Sequence, residues 1–292
     1  MIKGIYAASM SVLNKDLTLN INKTIEHAEM VINQGCHGAA IFGSTGQSQL
    51  IPISEKINFL NQLSTTKYKE KYIIGTGLNS LGDTISFMKV AMSLDFETFL
   101  IMPPAYYIYG DQEVINFYTR VVEALPKSKI ILYNFEKLCG YKFSIECVKE
   151  LVKKFPNQII GVKDSSYNLF ENLKLENFSM MPGSESKLLK GLQIGCSGII
   201  TATCNATSAL ARKVYDDFNE GRPQTANENL CEIRSEFEKY NLISGLHTFY
   251  KKKESIYENL LPPLSVLDTK SENELINNLE NIKFSIKSLM TV

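Results

Sequence analysis

The sequence contains little of what several classes of functional site require. It has no tryptophan, only three histidines, and six cysteines that form no CxxC pair. Because histidines and cysteines are not clustered, a metal site and a disulfide framework are both disfavoured. We therefore expect no metal ion, and we predict that the cysteines are reduced thiols in or near the core.

Excess charge and long apolar runs are also absent. Thirty-one Lys and Arg residues balance thirty-one Asp and Glu residues, which argues against nucleic acid or an anionic membrane as the main partner. No apolar run approaches the roughly 20 residues that span a bilayer. The first residues, MIKGIYAASM, lack the layout of a signal peptide. We therefore expect a globular cytoplasmic protein.

What the sequence does contain is a regular alternation of apolar runs with helical patterns. Eight runs, most of them continuously apolar, are predicted to be strands covered on both faces. They are 4–10, 38–44, 72–77, 98–104, 129–134, 159–166, 178–183 and 198–203. Helical periodicity between them predicts a (β/α)8 barrel. An open doubly wound sheet is the alternative, but no glycine-rich dinucleotide fingerprint follows the first run.

After residue 203 the pattern is helical only. One amphipathic helix is predicted from the spacing of Ala226, Leu230, Ile233 and Phe237. Another is predicted through Leu275, Leu279, Ile282, Ile286 and Leu289, with a Ser271/Glu274 capping box at its start. The sequence therefore predicts a catalytic barrel over 1–224 and a C-terminal helical extension over 225–292.

Polar side chains follow several of the predicted strands. Lys163 comes directly after the apolar run IIGV of the sixth strand, and Tyr133 ends the fifth. Ser44 and Thr45 follow the second strand, in a turn between two glycines. Because the carboxyl ends of barrel strands meet at one mouth, we expect these side chains in one site. Asp164 is a poor partner for the lysine, since successive residues of a strand face opposite ways.

These residue types together predict Schiff-base chemistry. The amine of Lys163, partly dehydrated in an apolar barrel mouth, can attack a ketone, and the resulting imine permits C–C bond making or breaking. Tyr133 can transfer the protons that these steps require. Hydroxyl and backbone N–H groups of the turn GSTG can hold a substrate carboxylate. We expect no cofactor, because the Schiff base formed on the lysine provides the electron sink.

Six motifs occur in an order and spacing that resemble the dihydrodipicolinate synthase/N-acetylneuraminate lyase family. They are GSTGQ (43–47), PPAYY (103–107), YN (133–134), GVKDSS (161–166), PGSES (182–186) and GIITAT (198–203). The resemblance implies a class I pyruvate aldolase or lyase with the Schiff base on Lys163. It implies that Tyr133 handles protons, and that Ser44 and Thr45 lie near the pyruvate carboxylate.

The resemblance also implies further contacts and an oligomer. Thr45 would link Tyr133 to Tyr107, which relatives often supply from the neighbouring subunit. Ile200 would contact pyruvate through its backbone, and Gly183 of PGSES would line the substrate site. Relatives are usually tetramers built from tight dimers, so a homotetramer is expected.

The aldehyde partner of pyruvate is the least constrained feature. Synthases of the lysine precursor typically carry an arginine after the YN motif, but here Leu138 falls at that position and Lys137 lies beside it. The KDSS segment looks more like that of 2-keto-3-deoxy sugar-acid aldolases, so we favour a substrate of this type. The alternatives are a 4-hydroxy-tetrahydrodipicolinate synthase acting on aspartate semialdehyde, and an N-acetylneuraminate lyase.

Two readings from other classes compete with an aldolase. The loops PGSES and GCSG (195–198) could cradle an anion, which would make the protein a phosphate-binding barrel. A catalytically inactive scaffold is the other, but such a barrel has no physical need for a lysine in its mouth.

Overall fold

The computed structural model describes residues 1–286 and contains all eight predicted strands. They are β1 (Gly4–Ala8), β2 (Gly38–Ile41), β3 (Tyr72–Gly75), β4 (Thr98–Ile101), β5 (Lys129–Asn134), β6 (Ile159–Asp164), β7 (Ser179–Pro182) and β8 (Gly198–Thr201). The strands are parallel, in the order β7-β6-β5-β4-β3-β2-β1-β8. Between β7 and β8 the Ser197 amide donates to the Met180 carbonyl at 2.9 Å, so the barrel is nearly closed. The predicted (β/α)8 barrel is confirmed.

Some strands end earlier than the apolar pattern indicates. β2 ends at Ile41 because Phe42 adopts a φ of 55°, which turns the chain out of the ladder. β4 ends at Ile101, shortly before Pro103 and Pro104, which have no N–H to donate to a ladder. These early ends place the GSTGQ and PPAYY motifs in loops at the carboxyl ends of the strands.

Helices cover the outside of the barrel and form the C-terminal region. They are α1 (Ile21–Asn33), α2 (Ile53–Leu63), α3 (Leu81–Ser93), α4 (Asp111–Ala124), α5 (Glu136–Cys139), α6 (Ile145–Lys154), α7 (Leu188–Gln193), α8 (Cys204–Asn219), α9 (Asn227–Glu238), α10 (Leu242–Lys251) and α11 (Thr269–Asn281). The strand-to-strand connection 165–178 contains no helix. None of the helices within residues 1–286 is long and apolar enough to cross a membrane.

The C-terminal helices pack on the barrel through an apolar cluster and a buried polar network. The cluster joins Met10 and Val12, which follow β1, to Ile233 on α9 and to side chains of α10 and α11. Beside it, the Nδ1 of His27 lies 2.8 Å from the Tyr257 hydroxyl, and its Nε2 lies 2.8 Å from Asn205 Oδ1. Burial lowers the pKa of His27 to about 4. The helices after α8 therefore contact the barrel at the carboxyl end of β1, while the predicted boundary at residue 224 stays a prediction.

The last helix differs from its prediction at both ends. α11 begins after Asp268, whose carboxylate accepts a hydrogen bond from the Ser271 amide at 3.0 Å, so the predicted Ser271/Glu274 capping box is wrong. The helix ends at Asn281, and Lys283 then adopts a φ of 60°. Ile286 consequently lies beyond the helix, and the predicted contact of Leu289 lies outside the described residues.

Candidate active site

The register of β5 and β6 brings Tyr133 and Lys163 together. The two residues lie opposite each other in the ladder, and such residues face the same side of a sheet. The Nζ of Lys163 lies 4.2 Å from the centroid of the Tyr133 ring, and the lysine is only 3% exposed. The strand pairing therefore fixes an amine beside a phenol at the carboxyl end of the barrel.

Asp164, the next residue of β6, faces away from this pair. Its carboxylate accepts a hydrogen bond from the Asn134 side chain at 2.8 Å and bonds of 2.9 Å from the amides of Tyr167, Leu169 and Phe170. Burial raises the pKa of Asp164, and these hydrogen bonds oppose that rise. Asp164 thus holds the connection after β6 in its turns, as its strand position predicts, and does not neutralise Lys163.

The turn after β2 supplies a hydroxyl to the phenol. Ser44 Oγ lies 2.9 Å from the Tyr133 hydroxyl oxygen, within hydrogen-bonding distance. The expected link from Thr45 to Tyr133 stays a prediction, and the contact that the structure shows is made by the adjacent residue Ser44. Ser44 is the hydroxyl residue of this turn that contacts the phenol within the described residues. Both residues nevertheless line the same cleft as Lys163.

This cleft has a volume of about 740 Å³ and opens at the carboxyl ends of the strands. Hydroxyl, amide and charged groups line much of it, among them Ser44, Thr45, Ser165, Ser166, Tyr167, Glu136, Lys137, Glu238 and Asn241. Gly183 also lines the cleft, and a Cβ added there would lie 2.2 Å from the Ser165 hydroxyl oxygen. A larger residue at this point of the wall would therefore require the Ser165 side chain to move.

The other residues expected in the site are distributed unevenly. Leu138 lines the cleft and is 44% exposed, with Lys137 beside it. Ile200 is fully buried on β8, and its side chain is not part of the cleft wall. Tyr107 lies on an exposed loop, is 75% exposed and is also outside this wall. Its expected role in a neighbouring subunit stays a prediction.

The sequence interpretation missed a charged cluster in the cleft wall. Arg234 and Glu238 of α9 line the cleft, and Arg234 forms an ion pair of 3.1 Å with the fully buried Glu185. A signal for Arg234 was present, since it lies one turn from both Leu230 and Phe237 on the predicted apolar face of that helix. A charged side chain at a buried helical position indicates a partner or a function.

The fold and this constellation together define a class of enzyme. A buried amine beside a phenol and a serine hydroxyl, at the mouth of a (β/α)8 barrel, is typical of barrel enzymes that act through a lysine.

Comparison with known proteins identifies the family within this class. The model of the Dihydrodipicolinate synthetase family matches residues 1–282. The 4-hydroxy-tetrahydrodipicolinate synthase of Methanococcoides burtonii is 26% identical over 239 residues, which are 80% of this chain and 81% of the relative. The 2-dehydro-3-deoxy-D-gluconate/2-dehydro-3-deoxy-phosphogluconate aldolase of Picrophilus torridus is 26% identical over 230 residues, 76% of this chain and 85% of the relative.

A solved structure supports the same fold. The dihydrodipicolinate synthase of Agrobacterium tumefaciens superposes with a TM-score of 0.87 at 21% identity, covering 96% of this chain and 99% of that one. The chain belongs to the Dihydrodipicolinate synthetase family. It is an enzyme of the lyase type, within the pyruvate aldolases and lyases of that family.

Proposed function

We propose that Lys163 forms a Schiff base with pyruvate and that the enzyme joins pyruvate to an aldehyde, or cleaves the corresponding product. The observation that carries the proposal is the buried lysine 4.2 Å from the Tyr133 ring, with the phenol hydroxyl 2.9 Å from Ser44. A nucleophile, a group able to transfer protons and a partner that orients this group are thus present together.

The reaction follows from these groups. The neutral Nζ attacks C2 of pyruvate, and the carbinolamine loses water to give the imine. Loss of a proton from C3 gives an enamine, which attacks the aldehyde carbon and forms the C–C bond. Tyr133 supplies the proton that the new alkoxide takes up, and water then hydrolyses the imine and regenerates Lys163.

We assign the pyruvate carboxylate to the turn after β2. Ser44 and Thr45 line the cleft beside Lys163, and their hydroxyls and the N–H groups of the turn are donors for an anion. Gly183 forms part of the opposite wall, where a larger residue would meet Ser165.

As the aldehyde partner, we favour the hydroxyaldehyde that is released together with pyruvate when a 2-keto-3-deoxy sugar acid is cleaved. The cleft is roomy, and several hydroxyl groups and the Asn241 amide line it, which suits a polyhydroxylated chain. Leu138 lines it where synthases of the lysine precursor are expected to carry an arginine, and Lys137 does not reproduce a bidentate guanidinium. The similarity to the Picrophilus torridus aldolase is consistent with this assignment.

The alternative synthase activity can be tested at that position. Leu138→Arg would provide the missing guanidinium, so a sharp rise of activity with aspartate semialdehyde would favour the synthase assignment. No rise, together with turnover of a hydroxyaldehyde by the unaltered enzyme, would favour the sugar-acid assignment.

An anion-binding function of the loop 182–186 has less support. Glu185 of that loop carries a carboxylate, and the nearby Arg234 is committed to it by their ion pair. Residues 182–186 therefore offer a phosphate no free cation of their own.

We also propose that the enzyme is a homotetramer. Tyr106, Tyr107 and Ile108 are 90%, 75% and 104% exposed, and contiguous exposed apolar side chains mark association surfaces. A second copy covering this loop is the arrangement that the family resemblance implies. Light scattering on the purified protein distinguishes a tetramer from a monomer.

The decisive test of the proposed chemistry is trapping of the imine. The full chain is incubated with pyruvate and borohydride, and its intact mass and peptides are measured. A reduced pyruvate adduct on the peptide that contains Lys163, absent from Lys163→Ala, would support the proposal. A wild-type protein that is fully folded and yet forms no adduct would refute it.

A further inference from the structure

The cleft that contains Lys163 extends to a polar cluster on the C-terminal helices. Arg234 and Glu238 of α9 line the same cavity as Lys163, Ser44 and Tyr133. The Arg234 side chain is only 5% exposed, so it is a built part of the wall rather than a solvated surface group. Nothing in the imine chemistry requires it.

The contacts of Arg234 fix its orientation and leave one nitrogen for a ligand. Nη1 donates to Glu185 at 3.1 Å, to the Thr201 hydroxyl at 2.9 Å and to the Thr203 hydroxyl at 3.1 Å. Nε donates to Glu238 at 2.7 Å. Nη2 forms no hydrogen bond within residues 1–286, and it is not sealed from solvent. Because Arg234 lines the cleft, the donors of Nη2 are available to a molecule bound there.

Glu185 is the anchor of this arrangement. Its carboxylate is fully buried and also accepts hydrogen bonds from Thr201 at 2.8 Å and from Thr207 at 3.3 Å. Residues of the barrel therefore fix the guanidinium of Arg234, although Arg234 itself belongs to α9. The C-terminal helices thus contribute directly to the wall of the cleft.

The charges of the cluster select the kind of oxygen that fits. One guanidinium faces two carboxylates, Glu185 and Glu238, so the cluster carries a net charge of −1. Glu238 is 44% exposed and can accept a hydrogen bond from a ligand. A substrate hydroxyl both donates and accepts, whereas a phosphate only accepts and is repelled by a net negative cluster.

The remaining charged groups of the cleft lie outside this cluster. Lys137 lines the cleft, but Glu136 lines it too. Apart from these residues, Lys163, Arg234 and Glu238 are the charged side chains of the cavity wall that the structure describes. Because Glu136 pairs with Lys142 at 3.3 Å, Lys137 is a cation of the wall that forms no ion pair within residues 1–286, but it lies on α5 and outside the Arg234–Glu238 cluster, which keeps its net negative charge.

We propose that Arg234 and Glu238 bind the hydroxyl groups of an unphosphorylated acceptor aldehyde and disfavour its phosphorylated counterpart. Arg234 donates from Nη2 to a hydroxyl oxygen, and Glu238 accepts from a hydroxyl of the same chain. This assignment rests on the proposed function, because it describes the second substrate of that reaction. Both residues determine specificity, and neither takes part in imine formation.

The experiment compares D-glyceraldehyde with D-glyceraldehyde 3-phosphate as acceptors for pyruvate. For the full chain we expect kcat/KM to favour the unphosphorylated aldehyde by about tenfold or more, as one unfavourable charge contact would produce. Glu238→Gln removes that charge and keeps the shape, so it should narrow the preference by about tenfold. Glu232→Gln is the matched control, because Glu232 is an exposed glutamate of the same helix that lies outside the cleft.

Imine trapping with pyruvate and borohydride, run on every variant, separates the two levels of the proposal. Adduct formation combined with equal or better use of the phosphorylated aldehyde by the wild type would overturn the assignment of Arg234 and Glu238 alone. An unchanged preference in Glu238→Gln, or an adduct without turnover of either aldehyde, would do the same. Absence of the adduct would overturn the proposed function and this inference together. Arg234→Ala is avoided, since it would leave Glu185 buried and unpaired.

Discussion

Lys163 and Lys56 are the two lysines that the described residues bury, and they lie in different layers of the barrel. Lys163 ends an inner strand, lines the cleft and lies beside the ring of Tyr133. Lys56 lies on α2 and is fully buried, with its Nζ 5.8 Å from the centroid of Phe42. It donates a 3.0 Å hydrogen bond to the Thr76 carbonyl and does not line the cleft.

The comparison separates burial from reactivity. Burial lowers the pKa of Lys56 to about 7, so a substantial part of this amine is neutral near neutral pH. Nevertheless it lines neither the cleft nor the adjoining pocket around Leu50, and its polar partner is a carbonyl rather than an acid or base. A reactive lysine requires an open cleft and a group that transfers protons, and Lys163 has both.

The largest expected effect is the loss of activity on removing the amine in the cleft. Lys163→Met should abolish the pyruvate adduct and lower kcat by at least about a thousandfold, because no imine can form without it. Lys56→Met is the matched control and should keep activity within about twofold, since Lys56 is remote from the reacting atoms. Steady-state kinetics and intact mass measure both. Equal losses in the two variants would show that burial, and not position, is what matters.

The next effect concerns Tyr133, the phenol beside Lys163 that has no counterpart beside Lys56. Tyr133→Phe should lower kcat by about 10² to 10³-fold, as expected for loss of a positioned proton donor. The adduct with pyruvate should still form, but more slowly, because the amine remains in place. Single-turnover trapping separates the two steps. A kcat within threefold of the wild type would show that another group transfers the proton.

For Lys56→Met we expect a gain of folding stability, in contrast to the losses of activity described above. Between about pH 7 and 10 Lys56 is protonated in the unfolded chain, whereas the folded protein disfavours the charge. The free energy of unfolding of the wild type therefore falls as the pH decreases through this window, and it is constant below about pH 7. Lys56→Met should therefore raise the free energy of unfolding at pH 7 by about 2 kcal/mol, after the lost hydrogen bond is subtracted. Urea unfolding at pH 7 and pH 9 measures this difference.

At pH 9 the gain from Lys56→Met should be smaller, because less of the penalty remains in the wild type. Lys71→Met, at an exposed lysine outside the apolar core, provides a control for the loss of one positive charge. A variant Lys56→Met that is less stable than the wild type at pH 7 would mean that the hydrogen bond to Thr76 outweighs the cost of burying the amine.

Local patterns were sufficient to predict the strands and the central pair. Continuous apolar runs define the buried strands, and a lysine or tyrosine at the end of such a run must lie at the carboxyl mouth of a parallel barrel. The same argument placed Asp164 on the other face. These features depend only on the period of a strand and on the fold class.

The features that escaped prediction depend on contacts between distant segments. The place of Arg234 on the apolar face of α9 marks it in the sequence, but its partner Glu185 is identified only when α9 is packed on the loop that carries this residue. Lys56 lies one helical turn before Phe59 and Leu60 on α2 and could equally extend its amine to water, until the ring of Phe42 packs over it. Which of Ser44 and Thr45 faces Tyr133 depends on the backbone of one turn, which residue types alone do not specify.

The smallest expected effect tests whether Ser44 or Thr45 orients Tyr133. Ser44→Ala removes the partner of the Tyr133 hydroxyl and should lower kcat by about fivefold, the value of one hydrogen bond that orients the phenol. Thr45→Val keeps the shape of a residue that lines the cleft without this contact, so it should raise the KM for pyruvate while changing kcat less. Steady-state kinetics with varied pyruvate distinguish the two, since Ser44→Ala should act mainly on kcat and Thr45→Val mainly on KM. A larger loss of kcat in Thr45→Val, with the KM unchanged, would instead make Thr45 the residue that positions Tyr133.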